Sequence, residues 1–163
     1  MDKLDFKILN HLQEDSGLTN AELSKLVGLS PSACLGRTKR LKESGAIRKS
    51  VAVLSKKKVG LNVQAYTFLT LSPHDRKTTE AFLGSIREIP QVLECYNVSG
   101  KFDYLLKIIA PDIDGYRDFV IDTLIDVPGV EKIESQMVLG EVKHSHRLPL
   151  EKSHFYAEAE EQI

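Results

Sequence analysis

Apolar positions in the first third of the chain recur at helical spacing. Within residues 2–14, Leu4, Ile8, Leu9 and Leu12 fall on one side of a helix, and the polar run Glu14-Asp15-Ser16 followed by Gly17 closes it. A second helix opens at Thr19. Thr19 and Glu22 have the T-x-x-E spacing of a capping box, in which each side chain satisfies an orphan backbone N–H. Leu23, Leu26 and Val27 form its stripe, Gly28 permits a tight turn, and Leu29 is an expected core anchor. A third helix, 31–44, opens on Ser30-Pro31, an N-cap followed by a first-turn proline whose missing N–H costs little. Leu35, Thr38 and Leu41 are its expected inner face, and Ser44-Gly45 its stop. Three short helices, the last two separated by Gly28-Leu29, predict a helix-turn-helix.

The pattern then changes period. Residues 47–54, IRKSVAVL, are rich in β-branched side chains with partial alternation and predict a strand. Residues 55–60, SKKKVG, read as a linker. Beyond it the chain predicts a strand at 63–71, a helix at 78–89 ended by Pro90, and a strand at 92–98. A turn at 99–102 follows, then a strand at 103–110, a helix at 112–126, a Pro128-Gly129 turn and a strand at 130–142. The order β-α-β-β-α-β is ferredoxin-like: a four-stranded antiparallel sheet with two helices on one face. The whole is therefore α+β, with domains at 1–60 and 61–150 and a polar tail at 151–163. Residues of both facing directions are apolar in 65–71 and 104–109, so the open sheet face is expected to pair with another subunit.

Charge sharpens this division. Residues 1–60 hold 12 Lys and Arg against 6 Asp and Glu, and residues 61–163 hold 10 against 17. A basic end beside an acidic remainder suggests that one end meets a polyanion. The 31–44 helix begins with the small residues Ser30, Ser32 and Ala33, which let its N-terminus sit deep in the major groove of double-stranded DNA. Arg37, Lys39 and Arg40 are candidate base or phosphate contacts, with Lys42 on the same basic side. Arg48 and Lys49 are candidate wing contacts.

Other chemistry is scarce. No phosphate-binding loop, nucleophile elbow or zinc-protease motif is present, and no Ser, Cys or Lys has a recognisable activating partner, so an enzyme is not expected. Cys34 and Cys95 are expected to be reduced and largely buried. His144 and His146, with His154 beyond, lack the ligand pattern of a metal site, and no metal or cofactor is expected. No run of about 18 apolar residues suggests a membrane span, and the first ten residues lack a signal-peptide core, so a cytoplasmic location is expected. In 98–104, Asp103 beside a glycine turn could accept hydrogen bonds from an ammonium group while turn N–H groups hold a carboxylate. Pattern alone favours a plain turn with a surface aspartate there.

The stretches LDFKILNHLQED (4–15), NAELSKLVGLSPSAC (20–34), RTKRLKESGAI (37–47), VSGKFDYLLKI (98–108), PGVEKIES (128–135) and VLGEVKHSHRLPL (138–150) occur in this order with these gaps. In this the chain resembles the Lrp/AsnC (leucine-responsive, or feast/famine) family of transcription regulators over about residues 2–150. The resemblance implies a winged helix-turn-helix, a linker strand and an effector-binding ferredoxin-like domain. It also implies homodimers formed through the sheets, assembling to octamers, and an amino-acid effector bound between dimers. By position, the turn Ser99-Gly100-Lys101-Phe102-Asp103 would lie at the effector, with Asp103 on its α-ammonium group. Asn97, Ile113, Gln136, Met137 and Val138 match positions linked in the family to ligand response or subunit contact. Lys101 stands where relatives often carry an acidic residue, and Asn97 where an apolar one is common. Gln136-Met137 and Gly140 also differ from the leucine-responding pattern. Methionine, another apolar amino acid or a polar one therefore all stay open as effector.

Overall fold

The computed structural model describes residues 1–150. Two compact units emerge. The first is Met1–Val53 with the described part of Lys143–Ile163, and the second is Leu54–Val142.

In the first unit, α1 (Lys3–Glu14), α2 (Asn20–Val27) and α3 (Pro31–Glu43) form the expected three helices. Each start has a side-chain cap: Asp2 and Asp5 make a capping box on α1, Thr19 and Glu22 make another on α2, and Ser30 caps α3. Gly28 ends α2 in the left-handed region at φ 74°, which lets the chain reverse within Gly28-Leu29-Ser30. Ile8, Leu23, Val27, Cys34 and Leu41 form the core of the unit, with Leu9, Leu12, Leu18, Leu29 and Ile47 packed around them. The inner face of α3 differs from the expected one. Cys34, Thr38 and Leu41 are buried, whereas Leu35 is 53% exposed.

Residues 48–55 correct another expectation, since they form no strand. A strand needs a ladder partner, and no described strand pairs with this segment; Val51, Val53 and Leu54 are exposed instead. Residues 55–60 are not a loose linker either. Lys56–Val59 is a 3₁₀ turn capped by Ser55, and Lys56 Nζ reaches Gln64 Oε1 (2.6 Å) and Glu141 Oε2 (3.2 Å). Those bonds fasten the segment to the second unit, so the division falls at Val53/Leu54 rather than near residue 60. Residues 143–150 rejoin the first unit. There the Leu148 N–H donates to Gln13 Oε1 (2.6 Å), the Gln13 amide donates to the Leu148 carbonyl (3.3 Å), and Arg147 pairs with Glu14. The expected tail at 151–163, His154 included, lies outside the described residues.

The second unit is a four-stranded antiparallel sheet in the order β2-β3-β1-β4, built from β1 (Val63–Leu71), β2 (Val92–Asn97), β3 (Tyr104–Ala110) and β4 (Val130–Met137). Strand β4 ends sooner than the predicted 130–142. Helix α4 (Arg76–Glu88) starts two residues before the predicted 78 because Asp75 caps it at the Thr78 N–H. Helix α5 (Ile113–Phe119) runs into a π-helical turn, Val120–Leu124. Ala65, Leu69, Leu71, Leu106 and Ile108 face the helices and bury against Phe82, Ile86, Tyr116, Phe119 and Leu124. Thr67 lies in the same layer, where its hydroxyl meets Tyr116 Oη (2.8 Å), which donates in turn to Ser135 Oγ (2.6 Å). On the opposite face, Tyr66 and Tyr96 are exposed and Phe68 and Leu105 half-buried. No described element of this unit covers that face.

Candidate nucleic-acid interface and effector site

The N-terminal candidates do not share one surface. Ser30, Ser32 and Ala33 are exposed in the cap and first turn of α3, with Ser30 Oγ accepting from the Ala33 N–H (3.3 Å) and lying 3.2 Å from Ser32 Oγ. Lys39 is exposed beside Glu43 (3.7 Å), and Arg48 and Lys49 are exposed beyond the helix. Arg37 points elsewhere. At 100° per residue it lies about 60° from buried Cys34, on the side toward α1. Its Nη1 bridges Asp2 Oδ2 (2.7 Å) and Asp5 Oδ1 (2.8 Å). Arg40, one turn on, donates through Nη2 to both oxygens of Asp5 (3.1 and 2.9 Å). The placement of Arg37 on an outer basic face is thus corrected, because its guanidinium is already occupied by carboxylates.

Asp5 is the residue that sequence reasoning missed. It is 1% exposed, and its carboxylate also accepts the Asp2 backbone N–H (3.0 Å). Burial alone pushes its carboxyl up, but the Asp2 N–H and the guanidinium groups outweigh this, and the carboxyl lies below its ordinary value. The signal was present: Asp5, Ile8, Leu9 and Leu12 share one helical phase, so Asp5 is an acid on an apolar stripe. Such a group must be paired to be buried. Two acids at the N-terminus of α1 also suit the positive end of its dipole.

In the second unit, the candidate effector residues divide into two groups. Ser99, Gly100, Lys101 and Phe102 form the turn between β2 and β3, and Gly100 takes φ 117°, a conformation that a side chain would strain. Asp103 Oδ2 accepts the Leu71 N–H (2.8 Å), with His74 Nδ1 3.9 Å away. Asn97 donates its amide to the Asp103 carbonyl (3.0 Å). The Lys101 ammonium lies 4.8 Å from the Phe102 ring centre and 3.4 Å from Glu134 Oε2, and Phe102 stacks on Phe68 at 5.1 Å. All of these cluster near the Leu69–Leu71 end of β1.

The other group sits elsewhere. Met137 pairs with Ala65, the Val138 N–H donates to the Gln64 carbonyl, and Ile113 follows Ala110, the partner of Val63. Gln136 lies beside Met137, opposite Tyr66. Four to six residues of strand separate Ala65, Gln64 and Val63 from Leu69, about 13–20 Å at 3.3 Å per residue. One chain therefore does not bring Ile113, Met137 and Val138 to Asp103.

Among the described residues no group of three or more His, Cys, Asp or Glu side chains is placed to hold a metal ion; His144 and His146 stack edge to face at 4.5 Å. Cys34 is buried and Cys95 half-buried, both as free thiols. No described helix is long and apolar enough to cross a membrane.

Residues 1–48 match the family described as winged helix-turn-helix DNA-binding, and residues 64–148 match the Lrp/AsnC ligand binding domain. The chain is 43% identical over 152 residues to the transcriptional regulator AzlB of Bacillus subtilis, covering 93% of this chain and 97% of that one. It is 39% identical over 148 residues to the leucine-responsive regulatory protein of Escherichia coli K12, covering 91% and 90%. A Neisseria meningitidis transcriptional regulator solved as its L-Met complex superposes with a TM-score of 0.88 at 42% identity, covering 91% of this chain and 96% of that one.

Proposed function

The chain belongs to the Lrp/AsnC family of DNA-binding transcription regulators, and from that premise we propose that it is an amino-acid sensor whose effector site is completed only by assembly. The observation that carries this is the division of the candidate effector residues between two ends of one sheet, about 13–20 Å apart along the strand. A ligand the size of an amino acid cannot touch both groups in one subunit. A second subunit that brings its Met137 end to the Asp103 end of the first would unite them. Ligand binding then favours one assembly over another by as much as its affinities for the two differ.

The exposed Tyr66 and Tyr96, flanked by Phe68 and Leu105, supply an apolar face for a homodimer, and further contacts between dimers would lead to an octamer. Asp103 is the acceptor for the effector's ammonium group, and the turn at 99–102 lies beside it. Methionine is the first effector to try, since the regulator 42% identical to this chain was solved with L-Met. The genes controlled would be those of amino-acid metabolism or transport, and the protein would work in the cytoplasm. In the dimer, two α3 helices entering successive major grooves call for half-sites about 34 Å apart.

The test is solution mass by light scattering with and without each of the twenty amino acids, alongside retention of promoter DNA. A mass above that of a monomer that shifts with methionine or another single amino acid, together with altered DNA retention, is the expected result. A monomer indifferent to every amino acid would overturn the assembly-coupled reading.

A further inference from the structure

We propose that Asp5, acting with Asp2, is a positioning residue for DNA recognition: it engages Arg37 and Arg40, so that α3 is set against α1 and its phosphate contacts fall to Lys39, Lys42, Arg48 and Lys49. The inference rests on α3 being the recognition helix.

The geometry divides four cations of α3 into two kinds. Arg37 and Arg40 lie one turn apart and converge on a single carboxylate that is shut from solvent. Arg37 also spans to Asp2 and its own side chain is only 26% exposed, whereas Arg40, bonded through Nη2 alone, keeps 62% of its side chain exposed. Two guanidinium groups against two carboxylates make a nearly neutral cluster. Such charge-assisted, multiply bonded contacts hold their geometry better than single exposed pairs. Lys39 and Lys42 are exposed and stand apart from the cluster; the Lys39–Glu43 pair at 3.7 Å between two exposed groups is weak. On the helical wheel, Ser32, Gly36 and Lys39 face opposite Cys34, which makes them the outermost row.

This arrangement has a purpose that packing alone does not supply. Apolar residues in place of Asp5 would fill the same space. The carboxylate instead fixes the rotation of α3 about its own axis, because Arg37 and Arg40 must both reach one point. A helix read by base edges needs its rotation held closely. The same carboxylate holds Arg37 back, and Arg40 in part, from gripping any duplex without regard to sequence, so it raises discrimination by restraining non-specific attraction.

The experiment compares binding to a duplex selected by the protein from a random pool with binding to a random-sequence duplex of equal length, each over a range of salt. Three variants are used: Asp5→Asn, Arg37→Gln and Lys42→Gln. Lys42→Gln is expected to flatten the salt slope by about 0.9 for each phosphate it no longer neutralises. Arg37→Gln should weaken the selected duplex on the order of tenfold with the slope unchanged. Asp5→Asn should lower affinity for the selected duplex and raise it for the random one, steepening the slope as the arginines are released. Arg37→Lys, which keeps a cation near Asp2 and Asp5, should recover part of the affinity. The slope does not depend on the fraction of active protein, so partial unfolding of a variant leaves the readout intact. Arg37→Gln flattening the slope as much as Lys42→Gln, or Asp5→Asn leaving the selected-to-random ratio unchanged, would overturn the assignment. A wild-type chain that retains neither duplex would overturn the recognition reading beneath it.

Discussion

The two units bury polar chemistry in opposite ways. In the DNA-binding unit the polar centre is ionic: Asp5 is sealed from solvent with Arg37, Arg40 and an N–H from Asp2 around it. In the ligand-binding unit the buried polar contact is neutral, Thr67 to Tyr116, with the Tyr116 hydroxyl reaching on to the exposed Ser135, and its notable carboxylate, Asp103, stands at the surface with a side chain 32% exposed. Asp5 has its acceptor positions filled by its own chain. Asp103 accepts the Leu71 N–H and keeps access to solvent, so it can still meet an external cation. Two aspartates beside turns or caps are thus suited to different tasks, one to hold a helix in place and the other to receive a ligand. The difference lies in how many donors the fold has already supplied.

The strongest way to break this contrast is Asp103→Asn. The amide oxygen can still accept from the Leu71 N–H, so the hairpin should keep its fold, with unfolding changed by no more than about 1 kcal/mol. Loss of the charge removes a hydrogen bond to an ammonium group, worth about 1.5–3 kcal/mol. Calorimetry should therefore find methionine, or whichever amino acid the wild type takes, bound ten- to a hundredfold more weakly on this order of magnitude. An unchanged affinity would mean that Asp103 is as structural as Asp5.

Acid should separate the units next. Asp2, Asp5 and Glu22 in the first unit and Asp75 in the second are the described carboxylates held below their ordinary values. For Asp2 the chief cause is the Asp5 N–H, with Arg37 next; for Glu22 it is the Thr19 hydroxyl, and for Asp75 the Thr78 N–H. A carboxyl depressed by folding contributes stability that is present above its unfolded value, near 3.9 for Asp, and lost as pH falls through the folded value. Three of these four groups belong to the helices of the DNA-binding unit. Residue-resolved hydrogen exchange from about pH 5 downward should show α1–α3 losing protection before the sheet. Asp5→Asn should flatten that acid limb, with a loss of about 2 kcal/mol at neutral pH that shrinks toward acid. Sheet and helices opening together at every pH would deny the ionic character of the first unit.

Much of this was legible in the chain. The capping pairs, the glycine turn and the change from helical to strand period marked nearly every element, because those signals are local. The failures were of phase and of partnership. Taking Leu35 rather than Cys34 as an inner residue rotated the assumed buried face of α3 by roughly 30°, enough to turn Arg37 outward. Segment 47–54 has the composition of a strand, but a ladder requires a second strand, which no described part of the chain provides. The effector residues are spread from 97 to 138, and their separation along the sheet follows from pairing register, which periodicity does not reveal.

The smallest expected effect tests the neutral half of the contrast. Tyr116→Phe deletes the hydroxyl that joins Thr67 to Ser135 while keeping the ring in the core beside Phe119 and Leu106. Thr67 is fully buried on the sheet, so its hydroxyl would lose that partner with no water to replace it. The cost should be about 1–1.5 kcal/mol, that of a buried hydrogen bond left half-made. Because no charge is involved, the loss should be the same at pH 7 and at about pH 3 and at low and high salt, whereas the Asp5→Asn loss should fall once the pH drops below about 4. Urea unfolding of both variants under those conditions makes the comparison directly. A Tyr116→Phe penalty that varied with pH or salt would show that the sheet unit also relies on charge at its centre, and the distinction between the two units would fail there.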